Sequence, residues 1–302
     1  MAAGRVWPLI AVLVAAASAC TSSAESPPHG LFGVGQGRSL FLDCQGSGSP
    51  TVVIIPGKGS YAEAWNVVVP SDDPVRSSRY DAIEQAQLTP SDTAVQPVLA
   101  RTTRVCAYDR PDTRPDGAER STPVAQPHGI SADVADIVSL IGSAGLSGPF
   151  VIVAHSYGGL VADLLARTHP DLVAGLVMVD PVSEFLPAVG SPTQNAAFYR
   201  DGRRPATPDG ESVLFEDAFA RVAAAGPLPD VPAVVLSSGK FMAPDVLTTE
   251  NYTQAQIHRA NDMLAAALHT DNRIVADSGH NVMLYAPGEV VSAVAAIVER
   301  VR

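Results

Sequence analysis

The sequence predicts an α/β fold, a mostly parallel sheet with helices on both faces. Three observations carry that prediction. Short apolar runs rich in β-branched residues alternate with stretches of helical period along most of the chain. The run Phe150 to Ala154 stops abruptly at His155-Ser156-Tyr157-Gly158-Gly159, and a helical pattern (Leu160, Val161, Leu164, Leu165) follows at once. Ser156, Asp180, His280 and the turn Gly57-Lys58-Gly59 each lie just past the carboxyl end of such a run. Open parallel sheets bind their ligands there.

Arg38 to Gln45 and Thr51 to Ile55 read as two strands joined by a hairpin-like turn, Gly46-Ser47-Gly48-Ser49-Pro50. Tyr61 to Arg101 mixes Pro, Asp and Ser with short helical patches, and reads as one helix plus an irregular insertion. Val105 to Tyr108 is the next strand. Ser131 can cap the helix after it, which carries Val134, Ile137, Val138 and Ile141 on one stripe. The helix behind Ser156 ends at His169-Pro170, and Ala174 to Val179 is a strand ending in Asp180-Pro181.

From about 182 to 229 the pattern breaks into Pro, Gly and polar residues, with one weak helix over Ser212 to Ala225. Ala233 to Leu236 restores the strand pattern, and Tyr252 to Leu268 is helical. Arg273 to Ala276 is the last strand and leads into Asp277-Ser278-Gly279-His280. Val290, Val294, Ile297, Val298 and Val301 mark a final helix.

Residues 1–19 read as a signal peptide, because Val6 to Ala19 is too short and alanine-rich for a membrane span. The segment Ala17-Ser18-Ala19-Cys20 resembles a bacterial lipoprotein signal, with Cys20 as the lipidated residue; a plain secretory signal is the alternative. Either way the chain is expected to be exported, secreted or held to the outer face of the cell membrane by a lipid. Residues 20–30 are then a polar tether, and 31–302 form the domain. In an oxidising compartment Cys44 and Cys106 are candidates for a disulfide. Two cysteines without histidines at ligand spacing argue against a metal site. A formal charge of −11 excludes a nucleic-acid binder, which needs a basic footprint.

A serine between a strand and a helix matches the setting of the G-x-S-x-G motif, with Ala154 in place of the first glycine. A serine hydroxyl needs a base to take its proton and a third group to hold that base. His280, after the last strand, is the natural base. His155 belongs to the serine turn and points elsewhere. Asp180 and Asp245 both obey the chain order serine, acid, histidine; Asp180 is favoured because its strand end holds it, and Asp245 remains the alternative. The backbone N–H groups of Tyr157 and Lys58 are the candidate oxyanion donors, with the Lys58 side chain left as a solvated charge.

Together these segments resemble the α/β-hydrolase fold serine hydrolases. The resemblance rests on Val52-Val53-Ile54-Ile55-Pro56-Gly57, Ala107-Tyr108-Asp109-Arg110, Val153 to Gly159, Leu176 to Pro181 and Ser278-Gly279-His280. It implies a mostly parallel central sheet, a cap over the site at about 182–229, no cofactor, and acyl transfer to water. The family's strand order makes the strands of Cys44 and Cys106 neighbours, which implies a disulfide between them. Pro56 stands where the family usually has histidine. Phe185, Leu186, Phe198, Tyr199, Leu214, Phe215 and Phe219 in the cap suggest a small, partly apolar ester as substrate. A non-catalytic binding protein of the same fold, or a peptidase or thioesterase, are the rival expectations.

Overall fold

The computed structural model describes residues 1–4 and 26–302, apart from 116, 118 and 206. The signal-like segment, Cys20 and most of the tether therefore lie outside the described residues. Among the described residues no helix is long and apolar enough to cross a membrane.

Among the described residues ten strands form in chain order: β1 (His29–Gly35), β2 (Arg38–Gln45), β3 (Val52–Ile55), β4 (Val67–Val68), β5 (Thr89–Pro90), β6 (Val105–Tyr108), β7 (Phe150–His155), β8 (Val173–Val179), β9 (Ala233–Ser238) and β10 (Asn272–Val275). Eight of them make one sheet in the order β1-β2-β6-β3-β7-β8-β9-β10, while β4 and β5 pair separately. From β6 to β10 every neighbouring pair is parallel, and β1 and β2 form the antiparallel edge. This is the α/β-hydrolase fold.

The helices are α1 (Val95–Leu99), α2 (Ile130–Ser143), α3 (Tyr157–Thr168), α4 (Leu186–Val189), α5 (Pro192–Gly202), α6 (Phe215–Ala224), α7 (Gln254–Ala267), α8 (Val282–Tyr285) and α9 (Pro287–Val301). Side chains alternate across a strand, so each central strand feeds two cores. Phe150, Ile152 and Ala154 of β7 pack with α2, α3, α6 and α7, whereas Val151 and Val153 pack with α1, α8 and α9. That is why β3 throughout and β7 up to Ala154 are apolar: all of their residues are buried.

Four local readings change. β2 and β3 are not a hairpin, because β6 lies between them. Stepping over one strand needs about 10 Å, and the six connecting residues, 46–51, reach further than that. β1 begins at His29, inside the expected tether, and His29 Nδ1 bonds the Asp43 carboxylate of β2 at 2.9 Å. α2 starts two residues early, capped by Gly129 rather than Ser131. The cap holds three helices instead of one. α5 escapes an apolar-period search because it is mostly polar, but Ser191 and Gln194 form a reciprocal capping box that marks its start.

Cys44 and Cys106 face each other across β2 and β6 and are joined by a disulfide.

Candidate active site

The turn after β7 puts Ser156 at φ 52°, ψ −123°, outside the regions that side chains other than glycine favour. Packing on both sides keeps it there. A Cβ on Gly158 would strike the carbonyl oxygens of Ile55 and Pro56, and one on Gly57 would lie 2.7 Å from His155 Nδ1 and 3.0 Å from Ser156 Cβ. Ala154, by contrast, is fully buried with its methyl in the core beside α3, so alanine fits where the motif has glycine. Ser156 precedes the first turn of α3, whose free N–H groups favour negative charge.

Asp180 follows β8 with its carboxylate buried. Oδ1 accepts the Ser238 N–H at 2.9 Å, and Oδ2 accepts both the Ser238 hydroxyl at 2.9 Å and His280 Nδ1 at 2.7 Å. Burial alone would raise its pKa, but His280 and the Ser238 donors outweigh burial and hold it below the ordinary carboxylate value. Burial pulls His280 the other way, downward; the hydrogen bond and charge of Asp180, with Asp81 adding, leave its pKa raised. Asp245 is exposed in the loop beyond β9 and is not part of this hydrogen-bonded group.

Two residues absent from the expected site hold the His280 loop. Asp81, from the irregular insertion, accepts the His280 N–H at 2.7 Å and the Tyr285 hydroxyl at 3.0 Å. Its carboxylate sits where a Cβ on Gly279 would be. His155 does not point away from the site. Its Nε2–H donates to the His280 carbonyl at 3.0 Å, and burial, aided by the nearby His280 charge, pushes its pKa down to about 3. It is a neutral prop under His280.

The turn Pro56–Gly59 is pinned from beneath. Arg110, almost wholly buried, donates to the Pro56 carbonyl at 2.7 Å and to the Gly57 carbonyl at 2.5 Å. Its Nε pairs with Glu211 Oε1 at 2.5 Å, and Glu211 Oε2 takes the Gly59 N–H at 2.6 Å. The Lys58 side chain is not a solvated charge: Nζ donates to the Arg204 carbonyl at 2.7 Å and the Asp201 carbonyl at 3.3 Å, at the end of α5. Among the described residues neither the Lys58 nor the Tyr157 N–H has a backbone acceptor. The Tyr157 hydroxyl donates to Asp133 at 2.5 Å, and burial lifts Asp133 to about 7 against the opposing pull of Arg110.

A cavity of about 470 Å³ opens over these groups, lined by Lys58, Ser156, Asp180 and His280 and by apolar Leu186, Phe198, Phe215, Tyr252 and Ile257. Leu186, Phe198 and Phe215 were expected there from the sequence; Tyr199 and Phe219 pack behind them instead. A wider groove of about 800 Å³ beside Asp72, Asp73 and Asp81 contains neither Ser156 nor His280. Among the described residues no cluster of three or more metal-ligating side chains occurs.

Residues 52–294 match the profile of the alpha/beta hydrolase family. The chain belongs to that family. It is 28% identical over 161 residues to an uncharacterized protein of Schizosaccharomyces pombe, covering 52% of this chain and 29% of the relative. It is 47% identical over 60 residues to lipase LipV of Mycobacterium tuberculosis, 20% of this chain and 23% of that one. The chain thus aligns with under a third of either curated relative. Among solved structures, Est816, described as an N-acyl homoserine lactone degrading enzyme, superposes with a TM-score of 0.56 at 18% identity, covering 90% of this chain and all of that one. At that identity the likeness is one of fold.

Proposed function

We propose that the protein is a serine hydrolase that cleaves carboxylic esters through an acyl-enzyme. The observation that carries this reading is the 2.7 Å bond between His280 Nδ1 and buried Asp180, in the same cavity as a serine held at positive φ. Asp180 fixes the proton on Nδ1, which leaves Nε2 as the basic nitrogen. Nε2 takes the Ser156 proton as Oγ attacks the ester carbonyl carbon. The carbonyl oxygen becomes an oxyanion, received by the N–H groups of Lys58 and Tyr157. The C–O bond then breaks, His280 protonates the leaving alkoxide, and a water activated by the same nitrogen releases the acid. The apolar lining favours a small ester with an apolar acyl or alcohol part.

A fluorophosphonate probe tests the nucleophile. Labelling confined to Ser156, with turnover of p-nitrophenyl esters, supports the reading; an unlabelled native protein would remove it.

We further propose that the chain works outside the cytoplasm, anchored by a lipid on Cys20. The signal-like pattern supports this, and so does the Cys44–Cys106 disulfide, since disulfides persist in oxidising compartments. Cys20→Ala should move the protein from the detergent phase to the aqueous phase on cloud-point partitioning. Unchanged partitioning would refute the anchor.

A further inference from the structure

The turn that would receive the oxyanion is held by the cap as well as by the sheet. Gly59 N–H ends on Glu211, and Lys58 Nζ ends on the last carbonyls of α5. The other donor is gripped too: the Tyr157 ring meets Phe215 of α6 edge-on at 5.7 Å between centroids, and the Arg110 guanidinium lies 5.3 Å from the same ring. Glu211 stands between α5 and α6 and is itself anchored. Its N–H donates to the Asp112 carbonyl at 3.0 Å, and the next N–H, of Ser212, donates to Gln126 Oε1 at 3.1 Å.

We propose that Glu211 is a positioning residue for hydrolysis, through which the cap sets the geometry of the oxyanion turn. The inference rests on the reading of Ser156 as nucleophile. A carboxylate with both oxygens on Arg110, one of them shared with Gly59 N–H, fixes the turn at two points. Arg110 then adds the Pro56 and Gly57 carbonyls, so the peptide that presents the Lys58 N–H is held on both sides. No part of Glu211 is among the groups lining the cavity, so it acts on the reaction only through the turn. An oxyanion donor works because it is already aimed when charge develops. Loosening its support therefore costs more in the transition state than in substrate binding.

The test compares wild type with Glu211→Gln and Glu211→Ala, each normalised to active sites titrated with a fluorophosphonate. A glutamine oxygen in place of Oε2 can still take Gly59 N–H and Arg110 Nη2, but its amide nitrogen cannot accept from Arg110 Nε. The expected result is a fall in kcat on p-nitrophenyl acetate of about tenfold for Gln and about a hundredfold for Ala, by comparison with the loss of a whole donor, while KM stays within about threefold. Affinity for a boronate that mimics the tetrahedral intermediate should fall in step with kcat. A merely structural role would reduce the number of titratable sites and leave turnover per site intact, and that outcome overturns the proposal.

If Glu211→Ala does not fold, Glu211→Gln and Lys58→Met decide. Lys58→Met keeps the backbone N–H and removes the α5 link; its side chain also lines the cavity, so a change there is read in KM, while kcat should fall about threefold to tenfold, a fraction of one donor's worth. Unchanged kcat per site in both variants refutes the cap's role. Wild type that fails to label would refute the nucleophile reading itself, and this inference with it.

Discussion

The two sides of the cavity are built by different physics. The floor comes from strand ends: Ser156, Asp180 and His280 stand where β7, β8 and β10 leave a core of apolar side chains. The walls come from the cap and the 61–94 insertion, and these are fastened by carboxylates, with Glu211 buried on Arg110 and half-buried Asp81 on the His280 loop. Hydrophobic burial is non-directional and tolerant, whereas a buried ion pair stripped of one partner leaves a costly uncompensated charge. The floor should therefore fail through lost chemistry, and the walls through lost aim.

The largest effect that separates them is on the floor. Ser156→Ala should reduce kcat for ester hydrolysis by about 10⁴-fold or more with the circular dichroism spectrum unchanged. Asp180→Asn should cost about 10⁴-fold in kcat by leaving the imidazole in the wrong tautomer, while Asp245→Asn stays within about twofold. Equal losses in the two asparagine variants would break the assignment of floor and loop.

The disulfide sits at the far edge of the floor, so its loss should touch stability alone. Closing a loop with a sequence separation of 62 residues stabilises by about 4 kcal/mol in the chain-entropy account. A double Cys44→Ser, Cys106→Ser variant should show that loss in urea titration, with activity per folded molecule retained.

The smallest effect sharpens the wall. His280 must be neutral to act, and its folded pKa is raised, so kcat/KM should decline as pH falls through a value above the usual imidazole pKa of about 6.5. Asp81→Asn removes a negative charge that favours the imidazolium, so the acid limb should move to lower pH. A limb that stays in place would show that Asp81 only ties the backbone.

What the sequence revealed follows the same division. β7, the serine turn and the strand that ends in Asp180 are local patterns, and the structure places all three as expected. Choosing between Asp180 and Asp245 turned on distance from a strand end, a local property too. Glu211 and Asp81 had no local signature. Their partners lie 101 and 199 residues away, and nothing in a run of Pro, Gly and Asp marks which acid will find a distant partner. The position of β6 between β2 and β3 was hidden for a related reason, since a glycine-rich connection looks alike whether it closes a hairpin or steps over a strand. The capping boxes of α5 and α7, Ser191 with Gln194 and Thr253 with Gln256, were cap signals that could have been read.

The close approach of Gly57 and Gly158 to the serine turn also bears on engineering. In a randomised library around Ser156, both positions should return glycine alone among active clones, whatever substrate is used for selection. Diversity meant to change substrate range belongs on Leu186, Phe198 and Ile257, which face the cavity from helices that do not carry the reacting groups.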